Sequence, residues 1–266
     1  PPATARPCGA HSGEQLMADH ADVPPAVACE VGRTARLMRV HATDLDYLFR
    51  FDAREIRGLR LAVHARIRAD NAHRFRRLAT LSGVLPRKLV ASLAQRSMSP
   101  RLAAGVVEAL QPEHAADVAS RMEPDYLAKT CEYLPPDIAT PIIGHLSDDT
   151  LVAVCDVLVE QDAYAEMAEM IETLADDQLR TFMERIDDPG MLLDISAVVT
   201  ADGQLERVAT LVPDELLSRI VRHAVDNVRH WDLALSLLAL LPAAERKRLL
   251  AVVAASGGPP VTPPSG

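Results

Sequence analysis

Nine histidines, four cysteines and 37 carboxylates are the groups in this 266-residue chain that could perform acid–base, thiol or metal chemistry. Their spacing gives them little to work with. The chain contains no phosphate-cradling G-x-x-x-x-G-K-[ST], no dinucleotide G-x-G-x-x-G, no zinc-binding H-E-x-x-H and no G-x-S-x-G nucleophile turn. His223 and His230 stand seven apart. On one continuous helix they would lie two turns apart, beyond the reach of a shared metal ion, so a structural or solvent-facing role is expected. Cys8, Cys29, Cys131 and Cys155 form no C-x-x-C and no zinc spacing, so free thiols in a reducing cytosol are expected. Cys131 and Cys155 share one phase of a repeat described below. They are expected to be small core residues, with a metal or redox pair as the alternative.

The carboxylates crowd the region after residue 147. Asp148, Asp149, Asp176 and Asp177 are the candidates for a weak Mg²⁺ site, because hard cations take oxygen ligands. No D-x-D-x-D-G loop is formed, and acids at helix starts answer the same pattern through the helix dipole. No other cofactor is implied.

Charge divides the chain. The net charge of −9 hides a segment, 33–90, with 14 Lys and Arg against five Asp and Glu, and a body, 91–266, with 13 against 28. Residues 53–80 read as a helix with Asp52 as N-cap. Ile56, Leu59, Val63 and Ile67 form its apolar stripe, and Arg54, Arg57, Arg60, His64 and Arg68 an adjacent basic one. Arg57, Arg60, His64, Arg68, Arg76 and Arg77 are therefore the candidate contacts to an acidic protein surface, either a partner's or the chain's own. Aromatics are only 3%, and the whole chain is acidic, which argues against specific nucleic-acid binding.

The elements that position these groups are written in a twelve-residue repeat. Met98, Leu110, Met122, Leu134, Leu146 and Leu158 recur at that step, and Pro100, Pro112, Pro124, Pro136 and Asp148 follow two places later. Proline suits the first helical position, where its missing N–H costs nothing. Ala115 and Ala119, Leu127 and Cys131, Ala139 and Ile143, and Leu151 and Cys155 then fall four apart on one face. The pattern resumes after an insertion at Leu174-Ala175-Asp176-Asp177, Ile186-Asp187-Asp188 and Leu211-Val212-Pro213-Asp214. Helices of eight to ten residues are unstable alone and must stack. The expected fold is an all-α right-handed superhelix, or α-solenoid, of short helical units. The expected organisation is a disordered arm at 1–35, a basic helical cap at 36–84, the repeat body at 85–255 and a disordered tail at 256–266. The first residues lack the basic-then-apolar order of a secretory signal, and Met17 or Met38 is an alternative start.

Leu110-Gln111-Pro112-Glu113, Met122-Glu123-Pro124-Asp125, Leu134-Pro135-Pro136-Asp137 and Leu146-Ser147-Asp148-Asp149 resemble the cytoplasmic N-terminal superhelical domain of MgtE-type magnesium transporters. The likeness spans at most residues 85–250, and helical repeats of flagellar motor switch proteins read similarly. It implies a superhelical fold and a cation-sensing ancestry. The nucleotide-binding modules and pore of those transporters have no counterpart here, so no ligand residue carries over. The expected function is a non-enzymatic protein-interaction scaffold in the cytoplasm, with self-association open. A Mg²⁺-responsive regulator and an enzyme or small-ligand binder using the superhelix groove are the alternatives.

Overall fold

The computed structural model describes residues 23–82, 85–201 and 203–255. They form an all-α helical-repeat fold of fifteen α-helices and one 3-10 segment, with no strand among the described residues. No described helix is long and apolar enough to cross a membrane. The chain divides into two compact units, 1–70 and 71–266. The division falls inside a helix, ahead of the boundary expected at 84/85.

In the first unit, α1 (Pro25–Met38) leads through a 3-10 segment (Ala42–Arg50) into α2 (Ala53–Ser82), which continues into the second unit. Helix α1 corrects the expectation of a disordered arm through residue 35; residues 1–22, like the tail at 256–266, lie outside the described residues. Its Val27, Val31 and Ala35 fall on one face and close over Leu45, Leu48 and Ile56. Pro25 opens α1 at the same first-turn position that proline takes in the repeats. Arg39 closes it in the left-handed region at φ 61°, while the N–H of Val40 returns to the carbonyl of Ala35 at 3.1 Å. Asp52 caps α2 as expected: its carboxylate accepts from the N–H of Glu55 at 2.9 Å, and the Glu55 carboxylate accepts from the N–H of Asp52 at 3.1 Å.

The inward stripe of α2 differs from the expected one. Leu59 is 42% exposed and Arg60 only 8%. The cause is Glu30, buried on α1 at 1% exposure. A buried carboxylate requires a counter-charge, and Arg60 supplies it, Nε to Oε2 at 2.8 Å and Nη2 to Oε1 at 3.3 Å. Ile56 and Arg60 therefore turn inward together, four residues apart.

In the second unit the twelve-residue step is realised directly. After α3 (Arg87–Ser97) come α4 (Pro100–Val107), α5 (Pro112–Ala119), α6 (Pro124–Cys131) and α7 (Pro136–Ile143), each of eight residues with proline first. The insertion then lengthens α8 (Asp148–Glu160) by more than a turn, and Ser147 caps it where the proline is missing. There follow α9 (Tyr164–Thr173), α10 (Asp176–Glu184), α11 (Pro189–Ala197), α12 (Gln204–Leu211), α13 (Asp214–Asp226), α14 (Val228–Leu240) and α15 (Ala243–Ala255). From α3 to α9 each helix packs on the one two places along: α3 on α5, α4 on α6, α5 on α7, α6 on α8, α7 on α9. Two ridges of helices thus run side by side. The residues expected inside are there: Ala115, Ala119, Leu127, Ala139, Ile143, Leu151 and Cys155 are all buried. The Phe75 ring of α2 sits against Gly105 of α4, where any Cβ would collide with it.

Glu30→Ala would remove the buried carboxylate that Arg33 and Arg60 share and is expected to destabilise the first unit by about 3–5 kcal/mol. Replacing Glu30, Arg33 and Arg60 together by Leu should restore most of that loss. Urea denaturation checks both; a Glu30→Ala chain that unfolds at the parent's midpoint would contradict the role given to this pair.

Candidate functional site

One of the expected basic contacts is buried. Arg60 is corrected from a surface contact to the buried counter-charge of Glu30. Arg57, His64 and Arg68 are half-buried, and Arg76 and Arg77 are exposed. In the second unit His73, Arg74, Arg76 and Arg77 leave α2 with an exposed cationic end. The first repeat helix adds a feature that sequence reading missed. Leu89 and Leu93 are 46% and 44% exposed at a four-residue step, Leu85 just ahead of the helix is 40% exposed, and Arg87, Lys88 and Arg96 flank them. The four-residue step is present in the sequence, but the repeats that follow carry Arg101, Glu113, Asp125 and Asp137 in place of Leu89, so the twelve-residue comparison does not single it out.

The candidate Mg²⁺ carboxylates are dispersed. Asp148 and Asp177 line one cleft of about 70 Å³ between α8 and α10, together with Cys155 and Arg185. Asp149 does not line it. Asp176 already has a cationic partner: Arg207 of α12 donates from Nε to its Oδ1 at 2.8 Å. The same guanidinium donates to the carbonyls of Ile171 at 2.8 Å and Leu174 at 2.6 Å. Among the described residues no group of three or more His, Cys, Asp or Glu is disposed to hold a metal ion.

Arg207 exemplifies a recurring device. Arg248 of α15 grips the carbonyls of Ala209 at 3.0 Å and Val212 at 2.7 Å, and Asp214 at 2.6 Å. In both cases the targets are spaced 0, +3 and +5: two carbonyls released at a helix end and the acid that starts the next helix. Arg219 of α13 reaches the carbonyl of Asp187 at 2.6 Å, and the Tyr126 hydroxyl of α6 lies 3.2 Å from the carbonyls of Ala94 and Met98. Each corner is held from the helix three places along. These side chains are structural.

Cys131 faces the apolar space between the ridges, where two clefts of about 50 Å³ each are lined by Leu127, Leu134, Ile143 and their neighbours. Burial pushes the thiols of Cys131 and Cys155 up to about 12, with Glu132 and Glu169 adding to the effect at Cys131, and Asp156 at Cys155. A thiol held protonated is a poor nucleophile near neutral pH.

The expectation for His223 and His230 is also corrected. They do not share a helix. Asn227 ends α13 with φ −129° and ψ 108° and caps α14, its side-chain oxygen accepting from the N–H of His230 at 3.3 Å. The corner folds His230 back onto His223, with Nδ1 of His230 and Nε2 of His223 2.7 Å apart. His230 is buried, and its Nε2 lies 3.5 Å from Oδ2 of Asp194 on α11.

No family model, curated protein or solved structure matches the chain. The likeness to the transporter domain rests on the repeat residues quoted above.

At pH 8 Cys131 and Cys155 are expected to resist a thiol reagent in the native chain and to react once urea exposes them. The sign of the pH dependence follows from the upward shift. The thiols contribute stability that is complete below their unfolded titration near 9 and is lost as pH rises toward about 12. Prompt native labelling of either residue, read by mass spectrometry, would contradict this.

Proposed function

We propose that the chain is a non-enzymatic protein-interaction scaffold of the cytosol whose docking face is the first repeat helix, and that its partner is an acidic amphipathic helix. The observation that carries this reading is the exposed Leu89 and Leu93 on α3, with Leu85 just ahead of the helix and Lys88 and Arg96 beside them, while Arg87 pairs with Asp117 of α5. At the twelve-residue step the inner repeats carry Arg101, Glu113, Asp125 and Asp137 where α3 has Leu89, so the exposed leucines are particular to the first repeat helix. Apolar residues at a four-residue step suit a helix laid alongside, and the basic flanks select acids at its edges. The thiols held protonated and the pairing of Asp176 with Arg207 support a role without catalysis.

A second reading, a divalent-cation-responsive regulator, is favoured by Asp148 and Asp177 lining one cleft. It requires millimolar Mg²⁺ to raise the melting temperature by mass action, which a passive scaffold does not.

The test is a pull-down from cell extract with the full chain and with Leu89→Glu/Leu93→Glu, at about 150 mM salt, where charges more than ~8 Å apart are screened. Proteins retained by the parent and lost with the double variant should bind through acidic helical segments. Unchanged capture by the variant, with both chains equally folded by circular dichroism, would overturn the docking face.

A further inference from the structure

We propose that the exposed face of α3 docks into the cleft between α8 and α10 of a second copy of this chain, so that copies associate head to tail. This rests on the reading of α3 as a docking face and names what occupies it.

Charge within the second unit is sorted by position. Residues 71–107 carry seven Lys and Arg and no Asp or Glu, whereas residues 148–188 carry thirteen Asp and Glu against two Arg. Regions of opposite sign on one molecule attract when two copies meet. Several charges in these regions are already answered inside the chain: Asp156 by Arg185, Asp176 by Arg207, and Arg87 by Asp117. Four that matter here are not. Among the described residues the carboxylates of Asp148 and Asp177 and the cationic groups of Lys88 and Arg96 make no ion pair.

These four groups flank matching apolar surface. On α3, Leu89, Leu93 and Arg96 follow at steps of four and three and so share a face, with Lys88 beside it. Leu89 and Leu93 are exposed, and the two cations stand about 12 Å apart along the helix with the leucines between them. The cleft offers the converse. Asp148 comes from one wall, α8, and Asp177 from the other, α10, and Leu151, Val152 and Phe182 line the space of about 70 Å³ between them. Arg185, the one cation of that lining, is held by Asp156, Nε at 3.0 Å and Nη2 at 2.8 Å. A hydrated Mg²⁺ would use the two acids and gain nothing from the apolar lining; an aliphatic side chain flanked by cations uses both. Helix α8 is also an acidic amphipathic helix, with Leu151, Val154 and Leu158 inward and Asp148, Asp149 and Glu160 exposed.

One copy does not join its own two surfaces. Helix α3 packs on α5 and α8 packs on α6, so the stack holds them apart. Face and cleft are different surfaces, so a copy that gives its face to one neighbour keeps its cleft for another. Such a contact propagates from copy to copy unless the rotation closes it into a ring.

The test is sedimentation velocity of the full chain and of two charge-reversed variants, Lys88→Glu/Arg96→Glu on the face and Asp148→Lys/Asp177→Lys at the cleft. The parent should associate as its concentration rises, and less at about 0.5 M salt than at about 0.05 M, where charges are less screened. Each variant alone should remain a monomer, because one sets acid against acid and the other base against base. Mixed in equal amounts, opposite signs meet again and association should return. If Asp148→Lys/Asp177→Lys fails to fold, Asp148→Asn/Asp177→Asn takes its place; its native face should still enter the other variant's cleft and give a dimer of one copy of each. A parent that stays monomeric throughout, or a mixture that stays monomeric with both variants folded by circular dichroism, would overturn the second copy as occupant. If the parent is monomeric while Leu89→Glu/Leu93→Glu still loses partners from cell extract, the docking face stands and only its occupant is wrong. If Leu89→Glu/Leu93→Glu associates as well as the parent, the face itself is wrong.

Discussion

An eight-residue helix spans about 12 Å and cannot satisfy its own ends: four N–H groups and four carbonyls are left over in a segment barely longer than that. Everything in the second unit answers this constraint. Proline at the first position of α4, α5, α6 and α7 removes one of the leftover donors. The chain then tightens at each exit, with the N–H groups of Arg121, Met122, Leu134 and Leu146 returning three residues back. Remaining carbonyls at several corners are reached from the helix three places along, by Tyr126, Arg207, Arg219 and Arg248. That reach exists because helices two places apart stack, which sets the start of one helix beside the body of the next in its ridge. Capping and stacking are thus one arrangement, and neither forms without the other.

The first unit meets a different constraint. It is small, and it places a carboxylate, Glu30, inside its apolar cluster. The pairing with Arg60 decides which side of α2 faces inward, and through it which arginines stay available to solvent. A basic stripe read from composition therefore loses a central member to the core.

The repeat was legible because proline and the following acid recur at a fixed step, and a period of that kind states both the helix starts and the buried face. Helix α1 was not legible in the same way: its Val27, Val31 and Ala35 are small, Glu30 and Thr34 interrupt them, and polar residues are scored as exposed unless their partner is visible. The partner, Arg60, lies 30 residues on. The histidine corner was missed for a related reason. The interval of seven between His223 and His230 means two turns only on an unbroken helix, and Asn227, a strong helix-capping type, stands between them. The arginine clasps at Arg207 and Arg248 lie 31 and 34 residues from their carboxylates, at no constant step. Only the folded chain brings them together.

The central claim is that the short helices have no stability of their own and share that of the stack. Native-state hydrogen exchange on the full chain measures this directly, amide by amide, across α4 to α8. If capping and stacking form together, the innermost amides of α5, α6 and α7 should open with the same free energy and the same denaturant dependence as those of the longer α8. Amides of the eight-residue helices that exchange independently, at the rates of an isolated peptide, would contradict the account.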